Sequence, residues 1–132
     1  MPSMTLASIT TDPAWPDYGY VLPNYLQEIR RERTIEMFSE GLAIRQKILG
    51  PDDPDVAQSL CNIATAKHEL GENTAAMLDF EQSLRILELH IKDEARSYEA
   101  VGLDYVALLE NQSEERKAAA FRKRMEKVLA SV

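Results

Sequence analysis

Cysteine is almost missing from this chain. Cys61 stands alone in 132 residues, which excludes an internal disulfide framework and any cysteine-rich metal site. A lone thiol fits a reducing compartment. Five glycines and six prolines are too few for a fibrous or low-complexity chain. No apolar stretch approaches the roughly 20 residues that span a bilayer. The start, MPSMTLASIT, has no basic residue ahead of an apolar run and does not read as a secretory signal. These absences set the expectation of a cytoplasmic protein with no membrane segment.

Chemistry-bearing patterns are equally scarce. His68 and His90 are each isolated, and no His, Cys, Asp or Glu cluster has metal-ligand spacing. There is no phosphate-binding G-x-x-x-x-G-K-S/T, no G-x-S-x-G, and no second cysteine near a histidine. The run Pro51-Asp52-Asp53-Pro54-Asp55 lacks the central glycine and distal glutamate of a calcium loop. It reads instead as a helix start, with Asp53 capping, Pro54 at the first helical position and Asp55 favouring the dipole. No enzymatic activity and no cofactor are expected.

What is present is a soluble composition, 45% hydrophobic and 28% charged, sized for one domain with a modest core. The net charge of −7 is unevenly spread. Residues 51–110 hold thirteen acids against four bases, whereas residues 111–132 hold three acids and six bases. The acidic middle disfavours nucleic acid and anionic membrane as partners. The basic tail interleaves its charges with apolar residues at helical spacing, as a solvated helix face does.

Along the chain, residues 1–22 differ from the rest, with no Lys or Arg before Arg30 and with Pro13, Pro16 and Gly19 as punctuation. They are read as an extended arm whose Trp15, Tyr18 and Tyr20 pack back on the body or dock a partner. From Pro23 onward strand signals are absent. Helices are expected over 23–49, about 54–69, 72–91, 94–110 and from Ser113 to about 130, joined by short connections. Asn111-Gln112-Ser113 fits the N-glycosylation pattern, but without a secretory signal it reads as an interhelix turn, with Ser113 capping the last helix. The class is all-α.

The pattern also repeats. An offset of 42 lays Thr34, Phe38, Gly41, Leu42 and Ile44 over Ala76, Phe80, Ser83, Leu84 and Ile86. In the middle unit, Leu60-x-x-Ile63-Ala64-x-x-Lys67 precedes Ala76-x-x-x-Phe80-x-x-Ser83. This resembles the tetratricopeptide repeat, with Lys67 in the place of that family's usual tyrosine. The stretch GLAIRQKILGPDDPDVAQSLCNIA is similar to repeats of the kinesin light chain type, whose long loop gives a unit of the same length. The resemblance implies antiparallel hairpins stacked as a short right-handed solenoid of about five helices. The best repeat is 54–91, with a partial repeat at 23–49 and a degenerate capping hairpin at 94–130.

The resemblance also implies a function: a non-catalytic scaffold binding a peptide or helical segment along its concave face. On the first helix of each pair, the residues it assigns to that face are Gln58, Cys61, Asn62, Thr65, His68, Glu69, Arg96 and Glu99. Asn62 matches an asparagine that grips an extended peptide backbone in this family, though a hydrogen bond within the helix pair is an equal use for it. The acidic middle favours a neutral or basic protein partner. The alternative is a self-assembly unit that homodimerises through its terminal helices.

Overall fold

Helix punctuation accounts for most of the architecture. The computed structural model describes residues 18–132, and these form five helices: α1 Tyr18–Leu49, α2 Pro54–Glu69, α3 Asn73–Leu89, α4 Ile91–Asn111 and α5 Glu115–Ala130. Among the described residues there is no strand. Helices adjacent in the chain pack on one another, α1 on α2, α2 on α3, α3 on α4 and α4 on α5.

The α1–α2 joint shows how local chemistry sets the turn. Gly50 takes φ +95°, and its N–H donates to the Gln46 carbonyl at 3.1 Å. Pro51 follows and has no N–H, so the second bond of a Schellman ending cannot form and the simpler left-handed cap results. Asp53 then caps α2, its carboxylate accepting from the Asp55 N–H at 2.9 Å, with Pro54 opening the helix. Asp52 ties the joint to α3 through Arg85 at 3.2 Å, and its carbonyl accepts from His90 Nε2 at 2.7 Å. The acidic run is thus spent on turn and cap geometry.

Two other ends use the full Schellman pair. At Gly71, φ +82°, the Glu72 N–H reaches Lys67 and the Gly71 N–H reaches His68. At the end of α4 the same two bonds form with Ser113 in the left-handed position, φ +59°. Ser113 therefore terminates α4 and does not cap α5. The residue before α5 is Glu114, whose side chain makes no cap bond. The α3–α4 reversal is completed at Glu94, which breaks the first turn of α4 with φ −115° and ψ 20°.

The first helix begins at Tyr18, five residues before the expected Pro23 start, so Gly19 is helical. Pro23 has no N–H to offer the Gly19 carbonyl, so the helix forgoes that bond there. The arm residues Pro13, Trp15 and Pro16 lie outside the described residues, as do the side chains of Tyr18 and Tyr20.

The core runs from α2 to α5. Ala57, Ala64 and Ala76 are wholly buried, and these small side chains let α2 and α3 approach closely. Buried Ser83 donates to the Ala57 carbonyl at 2.8 Å across that contact. Lys67 pairs with Asp79 at 2.8 Å, which meets its charge at the edge of the α2–α3 contact. Phe80 leads an aromatic chain: Phe80 to Tyr105 at 6.4 Å, Tyr105 edge-on to Phe121 at 5.1 Å, and Phe121 to Tyr98 at 6.3 Å. The hydroxyls of Tyr98 and Tyr105 donate to Glu88 and Glu81. In contrast, no described side chain of α1 is buried.

The two interior helix glycines make opposite predictions. A Cβ on Gly41 would meet nothing within 4 Å, whereas one on Gly102 would lie 2.6 Å from Met125 Sδ and 3.1 Å from Phe121 Cε1. Gly41→Ala should therefore stabilise the chain by about 0.5–1 kcal/mol through helix propensity. Gly102→Ala should lower Tm, because overpacking of about 1–3 kcal/mol outweighs the same gain. Thermal unfolding followed by circular dichroism separates the two.

A second prediction follows from the tyrosines. Burial first, then the accepting carboxylates Glu88 and Glu81, hold both hydroxyls above their ordinary value near 10. The unfolded chain releases these protons near pH 10 while the folded chain retains them. The stability they contribute is thus complete below pH 10 and falls as pH rises above it. Urea midpoints between pH 9 and 11 should fall in the native chain, and fall less steeply in a Tyr98→Phe, Tyr105→Phe variant.

Candidate functional site

Helix α2 is the central element of the candidate surface. It carries α3 on one side, and its outward residues Gln58, Asn62, Thr65 and Glu69 recur at three- and four-residue steps, so they share one stripe. To one flank lies α4. Between α2 and α4 a cavity of about 240 Å³ is lined by Thr65, His68, Asp104, Ala107, Leu108 and Asn111, with Phe80 of α3 also in its wall. To the other flank lies α1. There a cavity of about 310 Å³ is lined by Asn62 and Ser59 together with residues of α1.

Apart from Cys61, the expected residues fall into three groups. Thr65 and His68 reach the α2–α4 cavity, and Asn62 reaches the α1–α2 cavity. Gln58 and Glu69 are exposed on the same stripe, but each is engaged: Gln58 Nε2 donates to Asn62 Oδ1 at 3.2 Å, and Glu69 pairs with Arg31 at 3.3 Å. Arg96 and Glu99 are exposed on α4 and belong to neither lining. The α4 wall is built instead from Asp104, Ala107, Leu108 and Asn111, which sequence reasoning missed. The signal was present, since the 42-residue offset carries Asn62, Thr65 and Glu69 onto Asp104, Ala107 and Asn111.

Cys61 is buried under this surface. Its thiol is pushed up chiefly by burial and then by the charge of Asp104, against a smaller opposing effect of Thr65. A thiol so held stays protonated near neutrality and is a packing group, not an activated nucleophile. Thr65 donates to the Cys61 carbonyl at 3.0 Å, and His68 Nδ1 lies 2.8 Å from Asn73 Oδ1. Asn62 Oδ1 accepts from Gln58, and its amide nitrogen is a donor group.

A further depression of about 200 Å³ lies between α3 and α5 and includes Glu81, Glu88, Tyr105 and Arg124. These groups satisfy one another, Arg124 with Glu88 and Tyr105 with Glu81. Among the described residues no group of His, Cys, Asp or Glu could hold a metal ion, and no helix is long and apolar enough to cross a membrane. What the α2–α4 cavity offers is shape, a few hydrogen-bonding side chains and one carboxylate.

The family comparison agrees with this geometry. The family model described as tetratricopeptide repeat matches residues 26–88, from α1 to the last turn of α3. No curated protein and no solved structure is a significant match. The small-residue contact of α2 with α3, the aromatic Phe80 beneath the next helix and this match lead to one conclusion: residues 26–88 are a tetratricopeptide repeat.

Proposed function

We propose that this chain is a non-catalytic interaction module that takes an extended peptide segment of a partner in the α2–α4 cavity. Repeats of this kind generally mediate protein–protein interaction and form a non-catalytic class of modules. The observation that carries the reading is the pairing of α2 and α4 over Phe80, with Thr65, His68, Asp104, Ala107 and Asn111 around an open concavity. Hydrogen-bonding side chains around an apolar floor suit a backbone that presents both donors and acceptors. Asp104 is the carboxylate of that lining, and no Lys or Arg stands in it, so a neutral or basic segment is favoured.

The test begins with linear peptides selected by display against the intact chain and measured by calorimetry. Thr65→Arg and Ala107→Arg, both at exposed positions, should each weaken binding at least about tenfold, roughly 1.4 kcal/mol. Asp104→Asn should flatten the salt dependence. Affinities unchanged by Thr65→Arg and Ala107→Arg would reject this cavity as the site.

A further inference from the structure

The chain contains its own template for what is absent from α1. On α3, Phe80, Ser83 and Ile86 are buried at 3%, 0% and 0% exposure. Helix α2 lies over α3 at Ser83 and runs antiparallel to it, with Ala57 against Ser83 and Lys67 against Asp79, while α4 packs on Phe80 through Tyr105. The 42-residue offset carries Phe80, Ser83 and Ile86 back onto Phe38, Gly41 and Ile44 of α1. There Phe38 is 39% exposed and Ile44 58%, and a Cβ on Gly41 would meet nothing. The same stripe is sealed once and open once.

The open copy is a groove of about 310 Å³ bounded by Met37, Phe38, Gly41 and Ile44 of α1 and by Ser59 and Asn62 of α2. Ile48, 73% exposed, extends it by a turn. Met37, Gly41, Ile44 and Ile48 follow one another at steps of four, three and four, which is the spacing of a helix-pairing seam. Along its outer edge, seven residues apart, stand Arg33, Glu40 and Lys47, all exposed. Among the described residues none of the three makes an ion pair.

That edge discriminates between occupants. A second copy of α1 laid antiparallel and centred on Glu40, beside Gly41 in the middle of the seam, would set Glu40 against its own counterpart and Arg33 against the counterpart of Lys47. Like charges at both contacts disfavour self-pairing. The complementary edge is acidic, basic, acidic at seven-residue spacing.

We propose that the α1 groove docks an amphipathic helix from a different protein, antiparallel to α1, in the position that α2 holds over α3. Its contact stripe has small, large and small residues at the spacing of Ala57, Leu60 and Ala64. At the place of Lys67 it carries an apolar residue, because Met37 stands where Asp79 stands in the template. Its outer edge carries the acidic, basic, acidic sequence. This surface is separate from the α2–α4 cavity.

The probe is a 17-residue synthetic helix with that Ala–Leu–Ala stripe, leucine in the place of Lys67, and a Glu–Lys–Glu edge. Its control has a Lys–Glu–Lys edge. Fluorescence anisotropy with the intact chain should give saturable binding of the first peptide, and about tenfold weaker binding of the control. Ile44→Asp and, separately, Ile48→Lys should each cut the affinity at least tenfold while circular dichroism shows the fold kept, since both side chains are exposed. Thr65→Arg, which blocks the other cavity, should leave it unchanged. No saturable binding to the intact chain would overturn the proposal, whether the groove is inert or filled by residues 1–17. So would equal affinity for both peptides, or indifference to Ile44→Asp and Ile48→Lys. A dimer by sedimentation that Ile44→Asp dissolves would assign the groove to a second copy and overturn it as well.

Discussion

The close approach of α2 to α3 is the contact on which the other elements depend. Ala57, Ala64 and Ala76 remove side-chain bulk there, and Ser83 spends its hydroxyl on the Ala57 carbonyl in the gap they leave. With the two backbones that near, Phe80 is forced to the flank of the pair, where α4 packs over it through Tyr105. Tyr105 in turn meets Phe121 of α5 edge-on, and Gly102 leaves the room that Phe121 and Met125 occupy. Each helix is seated by the aromatic residue that the previous contact displaces. Larger side chains at the alanines would move every later helix.

The same logic explains why the molecule has one sealed repeat and one open one. The joint between α1 and α2 is long because Pro51 denies the tighter ending and Asp53 must still cap α2. That length gives the 42-residue period. On α3 the period meets a covering helix; on α1, which runs unbroken from Tyr18 to Leu49, no hairpin folds back among the described residues. Apolar residues suited to a repeat interior are left facing outward. The two surfaces therefore differ in kind. The α2–α4 cavity is a concavity with hydrogen-bonding walls, and the α1 groove is an uncovered interior.

Much of this was legible in the residues. Gly50, Asp53, Pro54 and Gly71 mark helix ends by chemistry that acts within a few positions, and the structure uses each of them so. The Phe38/Phe80 correspondence is likewise visible, because an aromatic at a fixed offset survives where its neighbours vary. The misses were matters of packing. Ser113 looks like a cap, but the carbonyls of Leu109 and Glu110 need partners and draw it into the left-handed turn. Arg96 and Glu99 sit in the first-helix pattern, yet the turn of α4 that faces the α2–α4 cavity is the one the 42-residue offset marks, through Asp104, Ala107 and Asn111. The partnership of Lys67 with Asp79 is a third example, since a lone lysine does not disclose which carboxylate will meet it.

The central claim is that α3 is sealed on the stripe where α1 is open. Native-state hydrogen exchange across the intact chain reads this directly, because amides exchange through openings whose cost follows local packing. The account predicts the slowest exchange in α3 around Phe80 to Leu87, and markedly faster exchange along α1 from Met37 to Ile48. Equal protection of the two stripes would contradict it, for it would mean that α1 is covered in solution as fully as α3.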